Sequence, residues 1–234
     1  MKIQFSNKLI AKKPEIYAQT QEAMCYKIIT YILNSNLRKA IKLQDWIKDQ
    51  VDLPKQNVIK YSKNIATGNN YDETIINILR YISSNINYKR DSDQWKMTEY
   101  WQDASTTIDL GTGDCEDGAI LMYIIARIKG IPENRLYLIA GDVKDLGDKT
   151  KIIGHCYLAY KPNNYPLNFQ FLDWCYNRDL SDVKQRSFFT INKDKITEEK
   201  DIHIVDSDYS DIWFIFNESF SSDRVTYDFT RITG

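Results

Sequence analysis

Gly111-Thr112-Gly113-Asp114-Cys115-Glu116-Asp117-Gly118 is the stretch on which the reading of this chain turns. Two glycines end a polar loop, and an aspartate stands where it can cap free backbone amides. The cysteine then opens a helix predicted over roughly 115–129, stopped by Gly130-Ile131-Pro132. Asp117 suits the first turn of that helix. Unpaired N–H groups and aligned peptide dipoles at a helix start favour negative charge. The position is therefore expected to lower the thiol pKa and to enrich the thiolate, the nucleophilic form. The neighbouring carboxylates oppose this, so the thiol needs a cationic partner.

The chain has two histidines, His155 and His203, so the choice of partner is narrow. His155 lies in a strand-like run, Gly154 to Lys161. Alternation puts His155, Tyr157 and Ala159 on one face and Cys156 and Leu158 on the other. A second run, Asn168 to Trp174, follows a turn-rich connection, Pro162-Asn163-Asn164-Tyr165-Pro166. If the two runs form a hairpin, Asp173 lies beside His155 and can orient its ring. That is the nucleophile, base and orienter arrangement of a thiol acyl-transfer site. Each residue alone has a plainer reading: a single cysteine is more often a small core hydrophobe, and a single strand histidine is usually structural. The ordered set of three is what points to chemistry.

Working outward, the chain before this stretch reads as helical. The apolar spacing predicts helices over 14–34 and 37–51, a third after Pro54, and a strongly amphipathic one over 71–86 with Ile75, Ile78, Leu79 and Ile82 on one stripe. Thr67-Gly68-Asn69-Asn70 is a break. Trp95, Tyr100 and Trp101 cluster ahead of a polar loop, 102–114. Beyond the central helix, strands are predicted over 135–141, 154–161, 168–174, 202–205 and 212–217. The fold class is therefore α+β, with a helical N-terminal region over 1–68 and an enzyme domain with C-terminal strands over 69–234.

Composition agrees with a globular protein: 43% hydrophobic and 27% charged residues over 234 positions. A net charge of −1 supplies no field for nucleic acid or an anionic membrane. The apolar run from Ala119 is too short to span a bilayer. Met1 to Pro14 has no apolar core or cleavage site of a signal peptide, so a cytoplasmic location is expected. Cys25, Cys115, Cys156 and Cys175 are too sparse for a disulfide scaffold, and no CxxC pair suggests zinc.

The order of a helix-opening cysteine, a Gly-His strand and a Leu-Asp strand resembles the transglutaminase-like superfamily, whose core is papain-like. Glu99-Tyr100-Trp101 followed by Gly111-x-Gly-Asp-Cys-Glu-Asp117 is most similar to its bacterial cysteine proteinases, which include calcium-dependent enzymes that cleave adhesins. The resemblance covers residues 71–177. It implies Cys115 as nucleophile, His155 as base and then acid, and Asp173 as orienter. It implies an oxyanion hole from the Cys115 amide and a donor near Trp101 or Gln102, although Trp101 could as well be core packing. Tyr157 is a further candidate for the substrate neighbourhood, or equally for the core. The thiol chemistry requires no cofactor. In the adhesin-cleaving relatives the residues flanking the cysteine bind calcium, which here would be Asp114 and Glu116 with Asp117 nearby; helix capping is the plainer reading of the same residues. Ile212-Trp213-Phe214-Ile215-Phe216-Asn217 loosely resembles bacteriophage members of the superfamily.

Three other features have ordinary readings. Asp206-x-Asp208-x-x-Asp211 lacks the glycine and spacing of a calcium loop, so it reads as a solvated turn. His203 is expected to face solvent. Lys144 to Lys151 is a charged loop between strands, either a lid beside the site or a plain surface loop. The expected partner is a protein or peptide substrate, cleaved through a thioester; protein-glutamine acyl transfer and a non-catalytic role on the same fold are the alternatives.

Overall fold

The structure, a computed structural model, describes residues 43–97, 99–145, 147–163, 168–176, 188–191, 202–204 and 208–223. The helix expected over 14–34, the first residues of that over 37–51, most of the 162–166 turn, Asp206 and Cys25 lie outside those residues.

Helices α1 (Leu43–Asp52), α2 (Gln56–Lys63) and α3 (Tyr71–Asn85) come first. Pro54 does not open α2: it lies one residue before the N-cap, Lys55. In α3, Asn70 accepts the Glu73 amide at 2.9 Å, and the buried stripe is Thr74, Ile75, Ile78, Leu79 and Ile82. These side chains pack with Trp46, Ile47 and Val58 against the central helix, α6 (Cys115–Ile128), in one core.

The segment expected as a polar loop is not wholly irregular. A short helix, α4 (Asp91–Gln94), precedes it, and α5 (Ala104–Leu110) forms within it. The signals for α5 were present: Asp103 accepts the Thr106 amide at 2.7 Å, and Gly111 closes the helix at φ 63, a left-handed value that glycine adopts without strain. Strands β1 (Asn87–Tyr88) and β2 (Thr112–Gly113) then pair in parallel, which fixes the loop just ahead of Cys115.

The remaining strands are β3 (Leu136–Lys144), β4 (Ile152–Tyr160), β5 (Asn168–Leu172), β6 (Phe188–Ile191), β7 (Ile202–Ile204), β8 (Tyr209–Phe216) and β9 (Ser221–Asp223). They form a seven-stranded antiparallel sheet in the order β7-β6-β5-β4-β3-β8-β9. The mixed helix and antiparallel sheet is the expected α+β class. One face of the sheet, with Leu138, Cys156, Leu158, Leu172 and Phe216, lies against the helices. The other carries Tyr137, Ile139, Tyr157, Ala159, Phe169 and Phe171 in a second cluster. Strand alternation in β4 follows the expected pattern. Among the described residues no helix is long and apolar enough to cross a membrane.

Candidate active site

Helix α6 enters the core almost entirely buried, and its N-terminus shares a cavity with the paired residues Ala140 and Cys156 of β3 and β4. Asp114 is the N-cap, and the Asp117 carboxylate accepts the Asp114 amide at 3.1 Å. Asp117 also accepts the Gln102 amide at 2.7 Å and the Gln102 side-chain nitrogen. That nitrogen reaches the Thr112 carbonyl as well, at 3.3 Å. Gln102 is thus a brace between Asp117 and the β2 loop, and it does not line the cavity beside Cys115. Trp174 clamps the same helix from the sheet side: its indole donates to the Cys115 carbonyl at 3.1 Å.

Cys115 and His155 line one cavity of about 520 Å³, together with Asp91, Glu99, Trp101, Asp114, Glu116, Ala140, Cys156, Trp213 and Phe214 among others. The β4–β5 register places Leu158 opposite Leu172, so the chain leaving β5 passes His155. The His155 Nε2 and Asp173 Oδ2 are 2.6 Å apart. Asp173 is almost wholly buried, which alone would push its carboxyl up. The charge and hydrogen bond of His155, the Tyr176 amide and the Tyr209 hydroxyl outweigh that and hold it below its ordinary value. An ionised Asp173 requires the proton on Nε2, which leaves Nδ1 as the nitrogen able to serve the thiol.

Tyr157, by contrast, is fully buried behind His155, with ring centroids 6.2 Å apart, and belongs to the second cluster. It lines no part of the cavity: it shares His155's face of β4 but sits two residues further along the strand, inside the second cluster. Trp101 does reach the cavity, but it also packs on Phe214 and Phe216 and donates its indole N–H to Glu99 at 2.5 Å. Packing and cavity lining are both its work.

The expectation for the thiol is reversed. Burial, then the charge of Asp114, pushes the Cys115 thiol well above its ordinary value, with Glu99 adding to the effect. The helix start is outweighed chiefly by burial and by the adjacent Asp114, and less by the distant Glu99. Asp91 and Glu99 come from α4 and the segment after it. Burial and mutual repulsion raise Asp91 to about 10 and push Glu99, Glu116 and Asp117 well up; Asp114 is raised as well, chiefly by burial.

One oxygen from each of Asp91, Asp114, Glu116 and Asp117 lies within 4.8 Å of the others. Asp91 Oδ1, Asp114 Oδ1 and Glu116 Oε1 are buried and have no hydrogen-bond partner. Unpaired buried carboxylate oxygens are costly. Their spread suits an oxygen-liganded cation such as calcium, which holds each ligand at about 2.3–2.6 Å. Asp117 fits less well, since Gln102 and the Asp114 amide occupy both of its oxygens.

Trp213 and Phe214, consecutive in β8, both line the cavity. A register shift between Ala140 and Gly141 explains how neighbours can share a face: Ala140 pairs with Phe214 and Gly141 with Ile212, so Trp213 is the extra residue of a bulge. Two other candidates fall outside the cavity, whereas the loop after β3 reaches it through Asp145. Asp208 pairs with Lys149 at 2.8 Å, and His203 sits in β7 opposite Thr190. The loop after β3 is pinned by Asp145, which accepts the Gly147 and Asp148 amides at 2.7 and 3.0 Å.

Residues 59–157 match the family model of the transglutaminase core, the transglutaminase-like superfamily. The match includes Cys115 and His155 and ends before Asp173. Among solved structures, Legionella pneumophila LapG aligns with a TM-score of 0.44 and 16% identity, over 74% of this chain and 83% of its own. The calcium-bound form of LapG aligns at 0.42 and 18%, over 77% and 87%. No curated protein sequence matches significantly.

Proposed function

We propose that the protein is a cysteine-nucleophile hydrolase of peptide or amide bonds, working through a thioester on Cys115. The carrying observation is that a helix-opening cysteine and a buried, hydrogen-bonded His155–Asp173 pair meet in one cavity. Cys115 sulfur attacks the acyl carbon, and the thiol proton passes to His155. The backbone amide of Cys115, at a helix start, is the donor available to the developing oxyanion. His155 then protonates the leaving amine as the C–N bond breaks. In the second half, His155 takes a proton from water, the hydroxide oxygen bonds to the acyl carbon, the C–S bond breaks, and His155 returns the proton to the departing sulfur. Asp173 holds the imidazole in the tautomer both halves need.

Asp91, Asp114 and Glu116, with Asp117 as their structural anchor, are proposed to hold calcium. Bound there, the ion would keep those carboxylates ionised while offsetting their repulsion of the thiolate. The helices up to residue 68 are proposed as a support for α6, because Trp46, Ile47 and Val58 share its core.

Incubating the protein with an unfolded casein and a fluorescent primary amine tests the reaction class. New peptide N-termini that vanish in Cys115→Ala establish hydrolysis. Amine incorporation without cleavage establishes acyl transfer to glutamine instead. Neither product, with calcium present, leaves a binding role on this fold.

A further inference from the structure

We propose that Tyr209 is a positioning residue of the His155–Asp173 pair, its hydroxyl holding the Asp173 oxygen that receives the imidazole N–H. This rests on the thiol-hydrolase reading above. Asp173 stands one residue beyond β5, in a turn, so no strand ladder fixes it. Its two oxygens are held from different places. Oδ1 accepts from the Tyr176 and Cys175 amides at 3.0 and 3.3 Å, and the Cys175 sulfur lies 3.5 Å from it. These bonds are local and set only where the turn closes. Oδ2 accepts from His155 Nε2 at 2.6 Å and from the Tyr209 hydroxyl at 3.0 Å. The second bond spans 36 residues and comes from β8.

In sheet order β4 and β3 lie between β5 and β8. The Tyr209 ring nevertheless lies 4.7 Å from the Phe171 ring and 4.8 Å from Tyr157. The Tyr209 side chain thus packs within the second cluster while its hydroxyl reaches the turn after β5. A phenylalanine would fill this site equally well as packing. The hydroxyl is needed only because Oδ2 must be aimed. A carboxylate free to rotate about its Cβ bond would present varying lone pairs to Nε2, and the imidazole would swing with it. Fixing Oδ2 fixes the ring plane, and with it the direction in which Nδ1 faces the cavity.

The chain's two histidines make a direct spectroscopic test possible. In uniformly 15N-labelled full-length protein with calcium, His155 should give a low-field imidazole N–H signal, assigned by its loss in His155→Ala. Tyr209→Phe keeps the ring contacts and removes one oxygen. It should shift or broaden that signal while the melting temperature stays close to the parent's. It should also slow iodoacetamide labelling of Cys115 about tenfold, the factor worth roughly 1.4 kcal/mol. Phe171→Leu, which disturbs the same packing without touching a hydroxyl, should leave the signal in place. An unchanged signal and labelling rate in Tyr209→Phe overturns the proposal, as does equal loss in Phe171→Leu. Labelling that ignores His155→Ala defeats the hydrolase reading itself, a separate outcome.

Discussion

Replacing Gly118 with alanine is a one-carbon change with a large expected effect. A Cβ there would lie 2.2 Å from Trp174 Cε2 and Nε1 and 2.6 Å from its Cδ1. Real Cβ contacts do not fall below about 3 Å, and the obstacle is a rigid, fully buried indole. The ring must therefore retreat from α6. Overpacking of this kind costs about 1–3 kcal/mol. Loss of the indole bond to the Cys115 carbonyl adds about 1 kcal/mol. Alanine returns about 1 kcal/mol through its preference for helix over glycine. The net cost is about 2 kcal/mol, or roughly 4–8 °C in melting temperature for a chain of this size. Trp174 is bonded directly to Asp173, so its displacement should also loosen the His155 pair and slow Cys115 labelling. Thermal unfolding by circular dichroism and labelling followed by mass spectrometry read both effects. A variant that melts at or above the parent temperature, with unchanged labelling, would show that the helix–indole contact is not what seats the nucleophile.

Asp117→Asn should lower the urea midpoint, since an amide nitrogen in place of one carboxylate oxygen faces the Gln102 or Asp114 donors; a cost of about 1–3 kcal/mol follows from one unsatisfied buried group. The acidic cluster predicts a pH trend for the metal-free protein. Asp91 is raised to about 10 and its neighbours are raised too, so the folded state binds more protons than the unfolded one between about pH 4 and 10. Stability should then fall as pH rises through that window, and melting in a chelator at pH 5 should exceed that at pH 8. Asp173 contributes in the opposite sense, its lowered carboxyl adding stability that is lost only in strong acid. Calorimetry should show calcium uptake by the parent and at least tenfold weaker uptake by Asp91→Asn or Glu116→Gln; equal affinity in those variants would remove the cluster as the site.

Much of the site was readable because its determinants are local or periodic. The start of α6 follows from glycines and an aspartate within five residues of Cys115, and its end from Gly130. The meeting of His155 with Asp173 follows from strand alternation and a single hairpin. What could not be read arises from approach in space. Asp91 and Glu99 line the cavity beside Cys115, and the chain leading to them is joined to the loop ahead of Cys115 by the β1–β2 ladder, two residues long and without a sequence signature. The thiol shift runs against the helix dipole mainly because Cys115 is buried beside Asp114: the carboxylate was visible in the sequence and the depth of burial was not. Gln102 and Tyr157 look alike in sequence terms as polar or aromatic neighbours of the motif, yet one braces Asp117 and the other packs behind the sheet. Trp213 faces the cavity because of a bulge opposite β3, and Tyr209 reaches Asp173 from a strand three places away in the sheet. Helix α5 is different: Asp103 and Gly111 marked its ends, and only its short length hid it.

The central claim is that Cys115 is a nucleophile activated by His155. Its most direct test is the rate of iodoacetamide labelling in the native protein with calcium, read by peptide mass spectrometry for each cysteine. Labelling of Cys115 that outpaces Cys25, Cys156 and Cys175 near neutral pH, and slows sharply in His155→Ala, is the predicted result. Labelling of Cys115 no faster than the other three, and indifferent to His155, would contradict it.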